Sequence, residues 1–374
     1  MTTAFTGARV FDGLTLHDDA VLLADGARVI GLASSVPADA DVIALGGGIL
    51  SPGLIDLQVN GGGGLMVDGQ CSAETLRAIC ATHAQMGTTG ILPTLITDTA
   101  AATAHLIETA IDCIGAPGFL GLHLEGPHLD PRRKGAHDPR LIRPMGDQDL
   151  DVLISAARRL PAVMITVAPS AVRLDQIMAL TQAGAIVSLG HTECTFAEAE
   201  AAFAAGARCA THLFNAMSQL GNREPGLVGA VLAHDIAAGI IADTIHVAPA
   251  TLRIALAARP EGLFLVSDCM AAAGTDQTEF NLGGRKILRR NGRLTLEDGT
   301  LAGADLTLPQ AIAIMVHTIG LPPERALAMA TRAPAQVIGR DDLGHLNAGS
   351  CADLVHLSDE FQVQSVWQSG QKRL

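Results

Sequence analysis

The sequence predicts an α/β chain: a (β/α)8, TIM-like barrel over residues 51–342, with a small β domain supplied by both chain ends, 1–50 and 343–374. Three observations predict it. First, from Leu50 onward eight short apolar runs alternate with helical patterns. Runs that are apolar throughout are strands buried on both faces, as in a parallel sheet covered by helices, and eight βα units in about 290 residues match a barrel. Second, four of these runs end in a residue able to bind metal or move a proton. Third, residues 1–50 and 343–374 are strand-like and lack the helical rhythm.

Within residues 1–50, two apolar runs flank Asp25-Gly26, a hairpin signal, and 42–45 leads into Gly46-Gly47-Gly48. So short a segment buries little by itself and needs a partner. The barrel strands are expected at 55–59, 89–94, 119–124, 162–168, 186–189, 207–211, 239–242 and 263–267. The helices between them are expected at 73–86, 100–114, 148–159, 174–183, 196–205 and 249–258. A doubly wound sheet is the alternative, but it would want a G-x-G-x-x-G turn after its first strand, and Gly61-Gly62-Gly63-Gly64 lacks that spacing. Residues 285–300 interrupt the rhythm with a hairpin turning at Asn291-Gly292. Helices follow at 306–320 and 323–338, and strands return at 352–357 and 362–368, with a turn at Ser369-Gly370.

Composition narrows the function. The 374 residues are 48% hydrophobic, with a net charge of −13. An acidic chain lacks the basic face of a nucleic-acid binder, although a few local cations would still admit a small anionic substrate. No apolar run approaches the ~18 residues of a membrane span, and MTTAFTGARVF lacks the basic-then-apolar pattern of a secretory leader. The seven cysteines form no CxxC pair, which fits reduced thiols. A cytoplasmic chain without membrane or nucleic-acid partners is expected.

The chemistry gathers at strand ends. The run 119–124 ends at Glu125 and opens into Gly126-Pro127 and a basic loop with Arg132, Arg133, Lys134 and His137. Run 186–190 ends at His191, 207–211 at His212, and 263–267 at Asp268. A single histidine at a strand end is more often structural than ligating. Four such groups on one barrel rim mark the face where barrels carry their chemistry. One Glu and two His form a ligand set for a divalent metal with an open position, most naturally zinc. An acid outside the set can then carry a proton.

These residues lie in longer motifs: PGLIDLQVNG (52–61), His123-Leu124-Glu125-Gly126-Pro127, Lys134-Gly135-Ala136-His137, Gly190-His191-Thr192, THLFNAM (211–217), REPG (223–226), IADTIH (241–246) and VSDCM (266–270). In these motifs, in order from about residue 40 to the end, the chain resembles the amidohydrolase superfamily, and within it the branch that deacetylates N-acetyl amino-sugar 6-phosphates. The resemblance implies a barrel plus a β-sandwich built from both termini. It implies Glu125, His191 and His212 as ligands of one divalent metal ion per subunit, with iron, manganese or cobalt as alternatives to zinc. Asp268 becomes the proton acceptor and donor, and His137 the group that polarises the acetyl carbonyl. Arg223 and His246 would bind the sugar phosphate, with Ala136, Asn215, Ala216, Leu301, Ala302 and Gly303 also against the substrate. A homodimer with phosphate contacts across its interface is implied as well.

The departures from the family pattern are informative. Many members place His-x-His at the end of the first strand to hold a second metal; here it reads Gln58-Val59-Asn60. Neutral amides are poor ligands beside imidazole, so a single-metal site is expected. No Lys ends a barrel strand, which disfavours cyclic-amide hydrolysis at a lysine-bridged pair of metals. Cys269, beside Asp268, has no evident base in the sequence and is not expected to be a nucleophile. His123 shares a strand face with Glu125 and is expected behind the ligands, with His83 in the core or at the surface. Two further readings stay open: the galactosamine epimer as substrate, and a non-catalytic binding protein on the same fold.

Overall fold

The structure, a computed structural model, describes residues 2–374. Eight parallel strands follow one another around a barrel: β1 (Leu54–Val59), β2 (Thr88–Ile96), β3 (Leu122–Glu125), β4 (Val163–Val167), β5 (Ile186–Leu189), β6 (Cys209–Ala210), β7 (Ala237–Ile240) and β8 (Leu263–Leu265), each hydrogen-bonded to the next. Nearly every residue in them is buried, as expected for strands with a packed barrel inside and helices outside. All eight overlap the apolar runs expected for them, with β3 starting three residues later and β7 two residues earlier than expected.

The helices of the first five units are α1 (Ala73–Gln85), α2 (Ala100–Ile111), α3 (Asp147–Arg159), α4 (Leu174–Gln182) and α5 (Phe196–Ala204). Ser72, Thr99 and Thr195 start α1, α2 and α5 by accepting a backbone N–H of the first turn. The sixth unit corrects the sequence reading, which left 212–238 without a helix. Residues Gly226–Ala233 form α6. Its sequence, GLVGAVLA, is apolar on every side, so no helical period marks it. α7 (Pro249–Ala258) and α8 (Leu308–Ala313) complete the ring; α8 runs on into a wider turn, Ile314–Ile319, which ends at left-handed Gly320, φ 85°. The helix expected over 323–338 is two, Pro323–Ala328 and Arg332–Val337. The break has a use: the carbonyls of Met329 and Ala330 accept the N–H groups of Leu265 in β8 and Ile55 in β1, both at 2.8 Å, and stitch the barrel's last strand to its first.

Higher up, that seam is held by three short contacts. Val59 bridges Cys269, Gln58 O accepts Asp268 N–H at 3.0 Å, and Cys269 O accepts Asn60 N–H at 2.9 Å. Beneath them the buried Asp56 carboxylate accepts the N–H groups of Gln58 and Ser267 at 3.1 Å. Burial pushes its pKa up to about 7.

Between β8 and α8 lies more than the expected hairpin. Glu279–Leu282, Arg285–Arg290, Arg293–Leu296 and Leu301–Ala304 form a four-stranded antiparallel sheet, of which only the central pair was readable. It packs its own small core, including Met270, Leu282, Ile287, Leu294 and Ala302.

The chain ends meet. Ile49–Pro52 pairs with Leu354–Leu357 in a six-stranded sheet that also takes Val363–Gln368, and a four-stranded sheet from residues 2–44 packs against it. Phe5 and Trp367 touch edge to face, with ring centroids 5.1 Å apart. Among the described residues no helix is long and apolar enough to cross a membrane, and all seven cysteines are free.

Candidate active site

Each chemical side chain sits at a strand's carboxyl end because the chain must leave the barrel there. Glu125 is the last residue of β3, while His191 and His212 stand two residues beyond β5 and β6. Asp268 follows β8 by three. His191, His212 and Asp268 adopt left-handed backbone, with φ of 46°, 30° and 49°. Non-glycine residues there cost on the order of 1–3 kcal/mol each, a strain that clusters at functional sites.

Three of these groups converge. The two His Nε2 atoms are 3.0 Å apart, and Glu125 Oε1 lies 3.3 Å from that of His191 and 3.1 Å from that of His212. His191 Nδ1 is 2.8 Å from the Arg133 carbonyl, which can only accept. Its proton is therefore on Nδ1, and its Nε2 lone pair faces the cluster, the usual arrangement of a ligating imidazole. His212 Nδ1 is buried without a partner among the described residues. Zinc bonds of about 2.0–2.1 Å in tetrahedral array set ligand atoms about 3.3 Å apart, so the residues present fit a single divalent ion. Burial pushes the Glu125 pKa up, but the two imidazoles that face it, His191 and His212, outweigh burial and hold the carboxylate well below its ordinary range. Burial lowers the His212 pKa, and the bond to Glu125 more than restores it.

Asp268 stands beside this cluster. Gln58 Nε2 donates both to Glu125 Oε1 at 3.2 Å and to Asp268 Oδ1 at 3.1 Å, and Asn60 Nδ2 donates to Asp268 Oδ1 at 2.7 Å. The two amides thus orient carboxylates by donating. Burial, then the charge of Glu125, raises the Asp268 pKa to about 6.

A cavity of about 250 Å³ opens over the four groups. Asn60, His137, Asn215, Ala216 and His246 line it, as do Ala136, Leu301 and Gly303. Ala302 does not; it is buried in the insertion's core. Arg223 lies outside the lining on an exposed loop, with no partner among the described residues. Its neighbour Glu224 instead caps the N–H groups of Phe196 and Gly226. His246 is held by Asp243 at 2.6 Å. Ile96, Gly135, Ile241, Met270 and Thr300 also line the cavity; Gly135, Ile241 and Met270 lie in motifs already quoted without being singled out, while Ile96, at the end of β2, and Thr300 gave no signal in the sequence. Thr97 was missed too, although it contacts His137.

Other expectations resolve simply. His123 is fully buried behind the Glu125–His191–His212 cluster, 2.7 Å from Thr166 Oγ1, and burial lowers its pKa to about 4. Arg132 and Arg133 pair with Asp130 and Glu193. Cys269 does have a base in the fold: His83 Nε2 is 3.7 Å from its sulfur. Burial drives the thiol well above its ordinary pKa and the imidazole to about 4, so both stay neutral.

The sequence profile of the amidohydrolase family matches residues 49–373. The chain belongs to that family. Its relatives include N-acetylgalactosamine-6-phosphate deacetylase of Shewanella sp. (strain ANA-3), 39% identical over 383 residues and covering 95% of this chain and 96% of that protein. N-acetylglucosamine-6-phosphate deacetylase of Haemophilus influenzae is 37% identical over 331 residues, covering 86% and 85%. Among solved structures, N-acetylglucosamine-6-phosphate deacetylase from Pasteurella multocida superposes with a TM-score of 0.96 at 33% identity, over 100% of this amidohydrolase and 99% of that chain.

Proposed function

We propose that the protein hydrolyses the acetamide of N-acetyl-D-glucosamine 6-phosphate, giving D-glucosamine 6-phosphate and acetate. One observation carries the reading: a Glu-His-His ligand set and a separate carboxylate of raised pKa share one rim cavity. Relatives named for this activity lend the substrate.

An amide is a weak electrophile and its amine a poor leaving group. A divalent ion held by Glu125, His191 and His212, most naturally zinc, supplies Lewis acidity that makes water a nucleophile near neutral pH. Asp268, oriented by Gln58 and Asn60, accepts the proton of the attacking water and returns it to the departing nitrogen. His137 hydrogen-bonds the acetyl oxygen and draws charge from the carbonyl carbon. A carboxylate with a pKa near 6 suits both halves of that transfer, since it is ionised at pH 7 and remains basic enough to take a proton.

The phosphate end draws on a second subunit. Among the described residues no Lys or Arg lines the cavity of a single chain, yet a phosphosugar needs a cation, the more so in a protein of net charge −13. Exposed and unpaired, Arg223 is suited to reach a neighbouring subunit's cavity in a homodimer, beside His246.

A second reading, the galactosamine epimer as substrate, is favoured by the 39% identical relative of that name. Acetate release from the two phosphosugars by zinc-loaded protein decides between them. A kcat/KM at least about tenfold higher for the glucosamine compound is expected. Release from neither would sink the proposal.

A further inference from the structure

We infer that Thr97 is a positioning residue that locks His137 in the tautomer presenting Nε2–H to the cavity. This rests on the reading of His137 as hydrogen-bond donor to the acetyl oxygen. Thr97 follows β2 directly and is buried. Its backbone N–H points at His137 Nδ1 at 3.2 Å, and its hydroxyl lies 2.7 Å from the same nitrogen. A backbone N–H can only donate, so Nδ1 must offer its lone pair, and in a neutral ring the proton is then on Nε2. The same contact keeps the ring neutral: an imidazolium would carry a second N–H at Nδ1, facing the Thr97 N–H. Among the described residues Nε2 has no partner, and His137 lines the cavity. In the other tautomer two N–H groups would face one another at Thr97, and a nitrogen lone pair would face the oxygen to be polarised.

Gly126 supports the arrangement independently. A Cβ built on it would lie 2.2 Å from Thr97 Oγ1, far inside contact distance, and its φ of 92° is a glycine conformation. The glycine after Glu125 therefore leaves the space in which the hydroxyl stands, and links the metal-binding strand end to the tautomer of His137.

The test uses the zinc-loaded full chain with isotope-labelled histidine nitrogens, the His137 signals being those absent from His137→Gln. The wild type should show a pyridine-like Nδ1 and a pyrrole-like Nε2. Thr97→Val keeps the shape and removes the hydroxyl donor. It should move both signals toward exchange between tautomers and lower kcat about three- to tenfold, the usual worth of one neutral hydrogen bond, with KM within about twofold. Thr97→Ser should restore kcat to within about twofold. A pyridine-like Nε2 in the wild type, or Thr97→Val indistinguishable from it in both spectrum and kcat, would overturn the inference. The wild-type spectrum alone decides the tautomer should Thr97→Val fail to fold. If the spectrum is as expected but no acetate is released, the proposed function falls and the tautomer assignment stands.

Discussion

Asp268 separates binding from chemistry. Asp268→Asn keeps its shape and its place between Gln58 and Asn60, but cannot take a proton. A fall in kcat of at least about a hundredfold is expected, with metal content unchanged by elemental analysis; loss of metal would make Asp268 a ligand. Its pKa also fixes the sign of the pH profile. Burial and Glu125 raise it to about 6, and the base works only when ionised, so kcat should fall as pH drops through a value at or somewhat below 6, since a bound cation favours the carboxylate. A rate that climbs toward acid would refute this. Gln58 and Asn60 are committed to Asp268 and Glu125 as donors. Elemental analysis should therefore find about one tight divalent ion per chain, and chelation should abolish turnover; two tight ions, both required, would contradict the single site. The convergence of Glu125, His191 and His212 was readable because strand ends announce themselves in sequence. The Thr97–His137 pair, 40 residues apart, was not: nothing in a threonine marks it as the donor that sets another residue's proton.

The four-stranded insertion closes one wall of the site. Its second strand reaches across to the loop carrying His137, where Arg285 Nη2 donates to the Ala136 carbonyl at 2.6 Å. Arg285→Ala should untie wall from loop. KM is expected to rise about threefold or more, by the loss of a hydrogen bond to a charged group, and proteolysis within 283–300 to quicken, while Tm shifts by only about 2 °C. Unchanged KM and cleavage would mean that the tether is idle. Sequence showed only the Asn291-Gly292 pair of this sheet because that turn has its own chemistry. The outer strands, EFNL and LAGA, have four residues each, too few for a period of two to stand out, and α6 lacks a polar face. The periodicity that betrays an element needs both length and a contrast between a wet side and a dry side.

At the scale of the molecule, Arg223 tests the proposed dimer. Arg223→Ala should raise KM for the phosphorylated sugar about tenfold or more, with little change on the unphosphorylated one. Equal loss on both would assign Arg223 to the fold. The barrel and a β domain joining both chain ends were legible as a change of rhythm along the chain, although the strands that pair, and their register, required the structure. That pairing has a consequence for biosynthesis. One edge of Ile49–Pro52 pairs with Arg9–Phe11, made before it, but the other edge pairs with Leu354–Leu357, so that edge waits while about 300 residues are translated. All that time it is an unpaired strand edge, a template for another nascent copy. A message that stops just short of residue 354 would not yield a slightly shorter enzyme. It would release a nearly complete chain whose first wound never closes, and its fate would be aggregation or degradation.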